Sequence, residues 1–323
     1  MRFIVHGAGG IGGVIAARLH QSGHHVIGVA RGAHLERWQS YGLRLQTPDE
    51  DVIVNVPVVG HPADAQIAED DIVILAMKSQ DTVDALADLE RCAPEGIAIV
   101  CAQNGVSNER EATRFFERVY GICVMCPTSF LDPGVVQAQS APITGILDVG
   151  CYPNGVDATA EVTAKALRAS TFQSEAVPDI MRWKYAKLLN NLGNAVQAVC
   201  SPDGAGDLRR LVRSEGIAVL TAAGIPFASE EEDRARRGDF LTMRPIAGQM
   251  RGGGSTWQSL ARGTPVETDH LNGEIVRIGH LHGVPTPANT LIRNLAYDAA
   301  RTGKSPGFMS VSQVLGQLPP PAG

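Results

Sequence analysis

The sequence predicts an α/β chain in two parts: a parallel sheet covered on both faces by helices, then an all-helical second half. Three observations carry this. Short apolar runs recur between residues 3 and 124, several of them apolar on both faces, as strands buried between two helix layers are. The first run passes through a glycine-rich turn straight into a helix-compatible segment. After about Val177-Pro178 the β-branched runs stop and apolar residues recur at helical spacing instead. The 323 residues accommodate two domains of roughly 150 residues each, and the change in texture divides them into 1–177 and 178–323.

Phe3-Ile4-Val5 reads as the first strand, Gly7 to Gly13 as its turn and Val14 to Leu19 as the following helix. His25 to Ala30 is the next strand, at the distance a strand–helix–strand unit needs. Val52 to Val59, Ile72 to Ala76, Ile97 to Cys101 and Val119 to Val124 extend the sheet, with helices expected at Asp81 to Leu89 and Glu109 to Arg118. The second half reads as helices at Ile180 to Val199, Asp207 to Ala223, Glu230 to Asp239, His270 to His282 and Pro287 to Thr302. In the third of these, four acids precede Arg234, Arg236 and Arg237. That order complements a helix dipole and marks a solvated helix rather than a binding patch. The end, Leu318 to Gly323, is rich in proline and expected to fray.

With 44% hydrophobic and 19% charged residues, the chain is not disordered as a whole. A net charge of −6 supplies no field for a nucleic acid. No apolar stretch approaches the ~18 residues of a membrane span. The first residues lack a leader's charged and apolar regions, and six Cys without a secretory pattern read as thiols. The expected location is cytoplasmic.

Gly7-x-Gly9-x-x-Gly12 gains its meaning from the strand before it and the helix after it. Glycine there allows a tight turn, a close approach to a pyrophosphate and helix-on-strand packing, and the helix start offers unsatisfied N–H donors. The expectation is therefore a Rossmann-type dinucleotide-binding domain. At the end of the second strand, where chains that bind NAD place an acid for the ribose, this chain carries Ala30-Arg31. Arginine there pairs with the 2′-phosphate of NADP or is a solvated loop cation. Lys78 stands in the same position after the strand ending at Ala76. Gln103-Asn104-Gly105 follows another strand, at the edge where open α/β sheets bind ligands, and is also a common turn.

In the helical half, Lys187 and Asn191 share a helical face, with Asn194 three residues further on. Buried amides there would form a ligand wall or an interhelical network. A lysine in such a place can protonate a carbonyl oxygen as it receives hydride. Lys184 competes for that role but lacks the spacing to Asn191. Ser255 and Glu267 read by themselves as a loop residue and a helix-start acid. Cys123-Val124-Met125-Cys126 has redox spacing, yet it lies in an expected strand and not at a helix start. His24-His25 and His280-Leu281-His282 lack partners at metal spacing, so no metal site is expected.

Together, Gly7-Ala8-Gly9-Gly10-Ile11-Gly12, Lys78, Gln103-Asn104-Gly105, the Trp183 to Asn191 helix, Ser255, Glu267-Thr268-Asp269 with Asn272-Gly273, and Gly283 to Pro287 resemble the ketopantoate reductase (2-dehydropantoate 2-reductase) family over almost the whole chain. The resemblance implies NADPH-dependent reduction of ketopantoate to pantoate, a step of pantothenate biosynthesis, on a Rossmann domain followed by a helical domain with substrate between them. It makes Lys187 the general acid and Asn191 an orienting amide. Asn104 lies near nicotinamide and substrate, Ser255 holds the substrate carboxylate and Glu267 its hydroxyl. Gly7 to Gly12, Arg31, Lys78 and Gln103 bind the cofactor side. It also implies a homodimer. Two positions depart from the family pattern. Ala195 stands where a second Asn is usual, with Asn194 one residue early, and the usual Ser-Met pair is Ser255-Thr256. The alternatives are a reductase of another 2-oxo acid or an imine on the same fold, and a non-catalytic NADPH-binding sensor.

Overall fold

The computed structural model describes residues 1–201 and 205–319; of the expected frayed end, residues 320–323 lie outside the described residues. The chain divides into two compact units, Met1–Lys184 with Ser229–Arg251, and Tyr185–Ala228 with Gly252–Gly323. The sequence-based division at 177/178 has no counterpart to the 229–251 excursion.

The first unit is built on an eight-stranded sheet. Its strands are β1 (Phe3–His6), β2 (Val26–Val29), β5 (Val58–Val59), β6 (Ile72–Leu75), β7 (Ala98–Cys101), β8 (Arg118–Met125), β11 (Gly145–Cys151) and β12 (Phe172–Gln173), in the order β12-β11-β8-β7-β6-β1-β2-β5. All neighbours are parallel except β8 and β11. The chain leaves β1 for β2 on one side and later returns to β6 on the other, so the strand order reverses beside β1. Ligands of open α/β sheets bind at the carboxyl ends of strands around such a reversal.

A second, four-stranded sheet has the order β4-β3-β10-β9, from β3 (Leu43–Gln46), β4 (Asp51–Val54), β9 (Thr128–Ser129) and β10 (Val135–Ala138). The expected single run Val52 to Val59 is thus two strands in two sheets. Pro57 has no N–H to continue a ladder; β4 turns back on β3 while β5 joins β2. The unit's helices are α1 (Gly10–Gln21), α2 (Gly32–Tyr41), α3 (Thr82–Glu90), α4 (Asn108–Ala112) and α5 (Ala158–Ala169). The helix expected at Glu109 to Arg118 stops at Ala112, because Arg118 already pairs with Ala98 in the sheet. Trp38 fills the space that Gly28 leaves open on β2 and donates its indole N–H to the Val56 carbonyl at 2.9 Å.

Among the described residues, no strand follows β12. The remaining helices are α6 (Ile180–Asn191), α7 (Gly193–Val199), α8 (Ala205–Ala222), α9 (Glu230–Arg237), α10 (Ser255–Ala261), α11 (Asn272–His282), α12 (Pro287–Thr302) and α13 (Val311–Leu315). The expected Ile180 to Val199 helix is interrupted at Leu192. In the second unit α8 approaches the α6–α7 junction closely enough that a Cβ on Gly216 would meet Leu189 and Leu192 at 2.7 and 2.8 Å. Glu215 of α8 accepts the Ala288 and Asn289 amides at 2.8 and 2.9 Å, capping the positive end of α12 with a carboxylate.

In the first unit α9 carries no buried residue and has a complete Ser229/Glu232 capping box, as a solvated helix should. Two of its side chains nevertheless dock it. Arg236 Nε donates to the buried Asp148 of β11 at 2.8 Å, and Arg182 donates to Glu232 at 2.7 Å.

Candidate active site

Four strand ends of the first unit converge on the predicted cofactor residues. Gly7 follows β1 with φ +85°, and a Cβ there would lie 2.4 Å from the Met77 nitrogen. At Gly12 it would lie 2.7 Å from the Gly7 carbonyl. Both are close-packing glycines. Gly9 and Gly10 are less crowded: a Cβ on Gly9 would meet Phe130 at 3.9 Å, and one on Gly10 would meet the Thr128 hydroxyl at 3.2 Å and Phe130 at 3.4 Å. Helix α1 starts beneath them with no side-chain cap and no acid in its first turn, so its first N–H groups and the helix dipole favour an anion. The close-packed Gly7 and Gly12, the less crowded Gly9 and Gly10 and an acid-free helix start fit a dinucleotide pyrophosphate. Ala8 and Ile11 complete the turn, Ala8 buried and Ile11 half-buried.

Arg31, immediately past β2, is 78% exposed and donates to Asp81 at 3.0 Å. Asp81 ends the short 3-10 turn that begins after the half-buried Lys78. The ion pair therefore links the two predicted phosphate cations through one turn. An exposed pair of this kind contributes little to stability.

Past β7, Gln103 is buried and donates to the Met77 carbonyl at 3.1 Å and the Thr82 hydroxyl at 2.7 Å. Its Oε1 is buried without a partner, leaving an acceptor for a ligand N–H. The Asn104 carbonyl accepts from Asn108 at 3.0 Å, and Gly105 turns the chain at φ +81°. Gln103-Asn104-Gly105 is thus both a tight turn and a fixed edge of the strand ends.

Lys184 is locked into this edge. Its ammonium lies 2.7 Å from Glu109 Oε1 and donates to the Gln103 carbonyl at 2.9 Å and the Ile122 carbonyl at 3.2 Å. Both side chains are almost wholly buried, and Gly121 leaves room for them. Burial raises the Glu109 pKa, with Lys184 opposing the rise. Two carbonyl hydrogen bonds and a buried ion pair fix the ammonium in place, which suits a strut rather than a proton donor.

In the second unit Lys187 is half-buried on α6 and Asn191 buried one turn on. The α6–α7 junction at Leu192, which itself keeps helical dihedrals, lies between Asn191 and Asn194. Asn194 reaches the start of α10: its Oδ1 lies 3.1 Å from where Gly254 would carry a Cβ, and Gln197 accepts the Gly254 amide at 2.9 Å. Ser255, the first residue of α10, adjoins this contact. Glu267 precedes the 3-10 turn Thr268–His270 and accepts the His270 amide through its carbonyl at 3.0 Å.

Two groups escaped the sequence reading. The His34 imidazole is buried beside the glycine turn. Arg251 donates to the Thr128 carbonyl at 3.1 Å and makes no ion pair among the described residues; burial lowers its pKa. None of the six cysteines forms a disulfide; the Cys123 thiol donates to the Trp183 carbonyl and the Cys126 thiol to that of Thr144. No cluster of three metal-ligating side chains occurs among the described residues, and none of their helices is long and apolar enough to cross a membrane.

Family profiles match both parts of the chain: ketopantoate reductase PanE/ApbA over residues 3–154 and its C-terminal counterpart over 179–299. The 2-dehydropantoate 2-reductase of Archaeoglobus fulgidus is 30% identical, over 91% of this chain and 96% of its own. That of Halobacterium salinarum is 27% identical, over 94% and 100%. Among solved structures, a PanE/ApbA family ketopantoate reductase from Ralstonia eutropha aligns with a TM-score of 0.78 at 28% identity, covering 94% of this chain and 99% of that one. D-mandelate dehydrogenase, solved with NADH and anilino(oxo)acetate, aligns at 0.80 with 21% identity and the same coverage, a likeness of fold. Strand order, glycine turn and relatives define the class, an oxidoreductase with a Rossmann-type sheet and a helical C-terminal part. Within it, the chain belongs to the ketopantoate reductase family.

Proposed function

We propose that the protein reduces 2-dehydropantoate to pantoate with NADPH. The observation that carries the cofactor choice is Ala30-Arg31 at the open end of β2: an exposed guanidinium, held only by a surface ion pair, where an acid would repel a 2′-phosphate. The reading of the substrate rests on the family and on the residues retained at its motif positions.

A bound nicotinamide supplies the hydride. Lys187 Nζ gives its proton to the ketone oxygen as negative charge develops there, and Asn191, one turn away, orients that oxygen. Ser255, with Asn194 beside its helix start, holds the substrate carboxylate. Glu267 accepts the hydrogen bond of the terminal hydroxyl. On the cofactor side, Gly7 to Gly12 receive the pyrophosphate, Arg31 and Lys78 the 2′-phosphate, and Gln103 and Asn104 the nicotinamide end. Reduction of a different 2-oxo acid is favoured by one observation, Ala195 with Thr256 at two family positions; the Thr256 hydroxyl is buried without a partner. NADPH consumption measured with a panel of 2-oxo acids separates the two: ketopantoate should be the best substrate, and a better one elsewhere in the panel moves the reading to that acid.

A further inference from the structure

His34, on the first turn of α2, uses both ring nitrogens. Nε2 lies 2.8 Å from the Ala8 carbonyl and Nδ1 lies 2.8 Å from the Gly134 amide nitrogen. A carbonyl can only accept and an amide N–H only donate, so the ring must carry its proton on Nε2 and be neutral. The ring also packs edge-on against Phe130, centroids 4.6 Å apart, and against Trp38 at 5.5 Å. Phe130 is the side chain nearest to Gly9 and lies 3.4 Å from where Gly10 would carry a Cβ. One imidazole therefore ties the dinucleotide turn to the 130–134 loop, whose Phe130 packs against Gly9 and Gly10.

We infer that His34 is a positioning residue for dinucleotide binding: its neutral ring clasps the glycine turn to that loop, and protonation releases the loop. The inference rests on the reading of Gly7 to Gly12 as the dinucleotide site. Protonation puts an Nδ1–H against the Gly134 N–H and leaves that amide without an acceptor, while the Ala8 contact survives. The charged or titratable residues carried by the surrounding elements are Arg31 just before α2, Glu36 and Arg37 on α2, His6 on β1, Arg18 and His20 on α1, Arg44 of β3, whose amide donates to the Gly134 carbonyl, and Asp132 in the loop, and none forms an ion pair with the ring. Burial holds the imidazole below its ordinary range, partly opposed by the Ala8 contact, so the clasp is closed at neutral pH and opens on the acid side.

The test is the NADPH dissociation constant of the full chain at a series of pH values, for the wild type, His34→Gln and His34→Phe. Gln keeps a donor for Ala8 and cannot titrate, so it should bind nearly as well as wild type at about pH 8 and lack part of the acid-side loss. Phe keeps the bulk and removes both hydrogen bonds, and binding should weaken about tenfold at all pH values. Comparison with Gln removes the titration of the NADPH phosphate itself. In the protein without nucleotide, imidazole nitrogen NMR should place the neutral ring's proton on Nε2. A proton on Nδ1, or variants that bind NADPH with the wild-type affinity and pH profile, overturns the role of His34 and leaves the dinucleotide site standing. A wild type that binds neither NADPH nor NADH overturns the site and the clasp together.

Discussion

Lys184 and Lys187 are three residues apart; Lys184 is buried against Glu109, whereas Lys187 is half-buried and is the proposed proton donor. Breaking a buried ion pair typically costs about 3–5 kcal/mol, whereas replacing both partners by apolar groups is often neutral. Lys184→Met should therefore lower thermal stability strongly, and adding Glu109→Leu should restore most of it; equal melting points for the single and double variants would contradict the strut. Lys187→Ala should instead lower kcat by ~10²-fold or more with NADPH binding nearly unchanged, as steady-state kinetics beside a direct binding titration will show. Arg31→Ala should raise the KM for NADPH roughly ten- to a hundredfold and leave that for NADH alone. His6 gives a stability prediction. Burial, the leading cause, lowers its pKa from 6.5 to about 4. The unfolded chain binds the proton that the fold refuses, so this stability is complete above about pH 6.5 and is lost as pH falls toward 4, to the extent of about 3 kcal/mol. Melting curves of His6→Leu should be flatter across that interval than those of wild type.

Elements with local signals were legible in the sequence, and those made by distant partners were not. The β1 turn and α12 announce themselves through glycine spacing and through Pro287 with its helical pattern. The second sheet could not be foreseen, because β10 pairs with β3 across some ninety residues and Val52 to Val59 gives no sign of being shared between sheets. His34 was invisible for the same reason: its two partners lie 26 and 100 residues away. Helix α9 was readable as solvated, but its attachment through Arg236 depends on an aspartate inside an otherwise apolar strand. Burial raises the Asp148 pKa and Arg236 opposes the rise. Arg236→Ala strands that carboxylate, so cleavage of the 229–251 segment by a limiting amount of protease should become markedly faster than in wild type; an unchanged rate would mean that α9 is held by other contacts.

At the scale of the whole molecule, the change of texture near residue 177 marks where the sheet ends, while the return of 229–251 to the first unit has no signature in composition. Each residue proposed for the cofactor follows a strand, and the strand order brings those ends together. The residues proposed for the substrate were read from the family pattern, and the approach of Asn194 to Gly254 was not legible because it joins helices some sixty residues apart. The proposed reduction requires the site to recognise an acid with a hydroxyl beyond its 2-oxo group. A polar atom left unpaired by a substrate lacking that hydroxyl discriminates strongly against it. The direct measurement is kcat/KM with NADPH for ketopantoate and for 2-oxoisovalerate, in wild type and Glu267→Ala. A preference of about a hundredfold or more for ketopantoate is expected, much reduced in the variant by loss on ketopantoate alone; equal efficiencies in the wild type, or no reduction of ketopantoate, would contradict the proposed function.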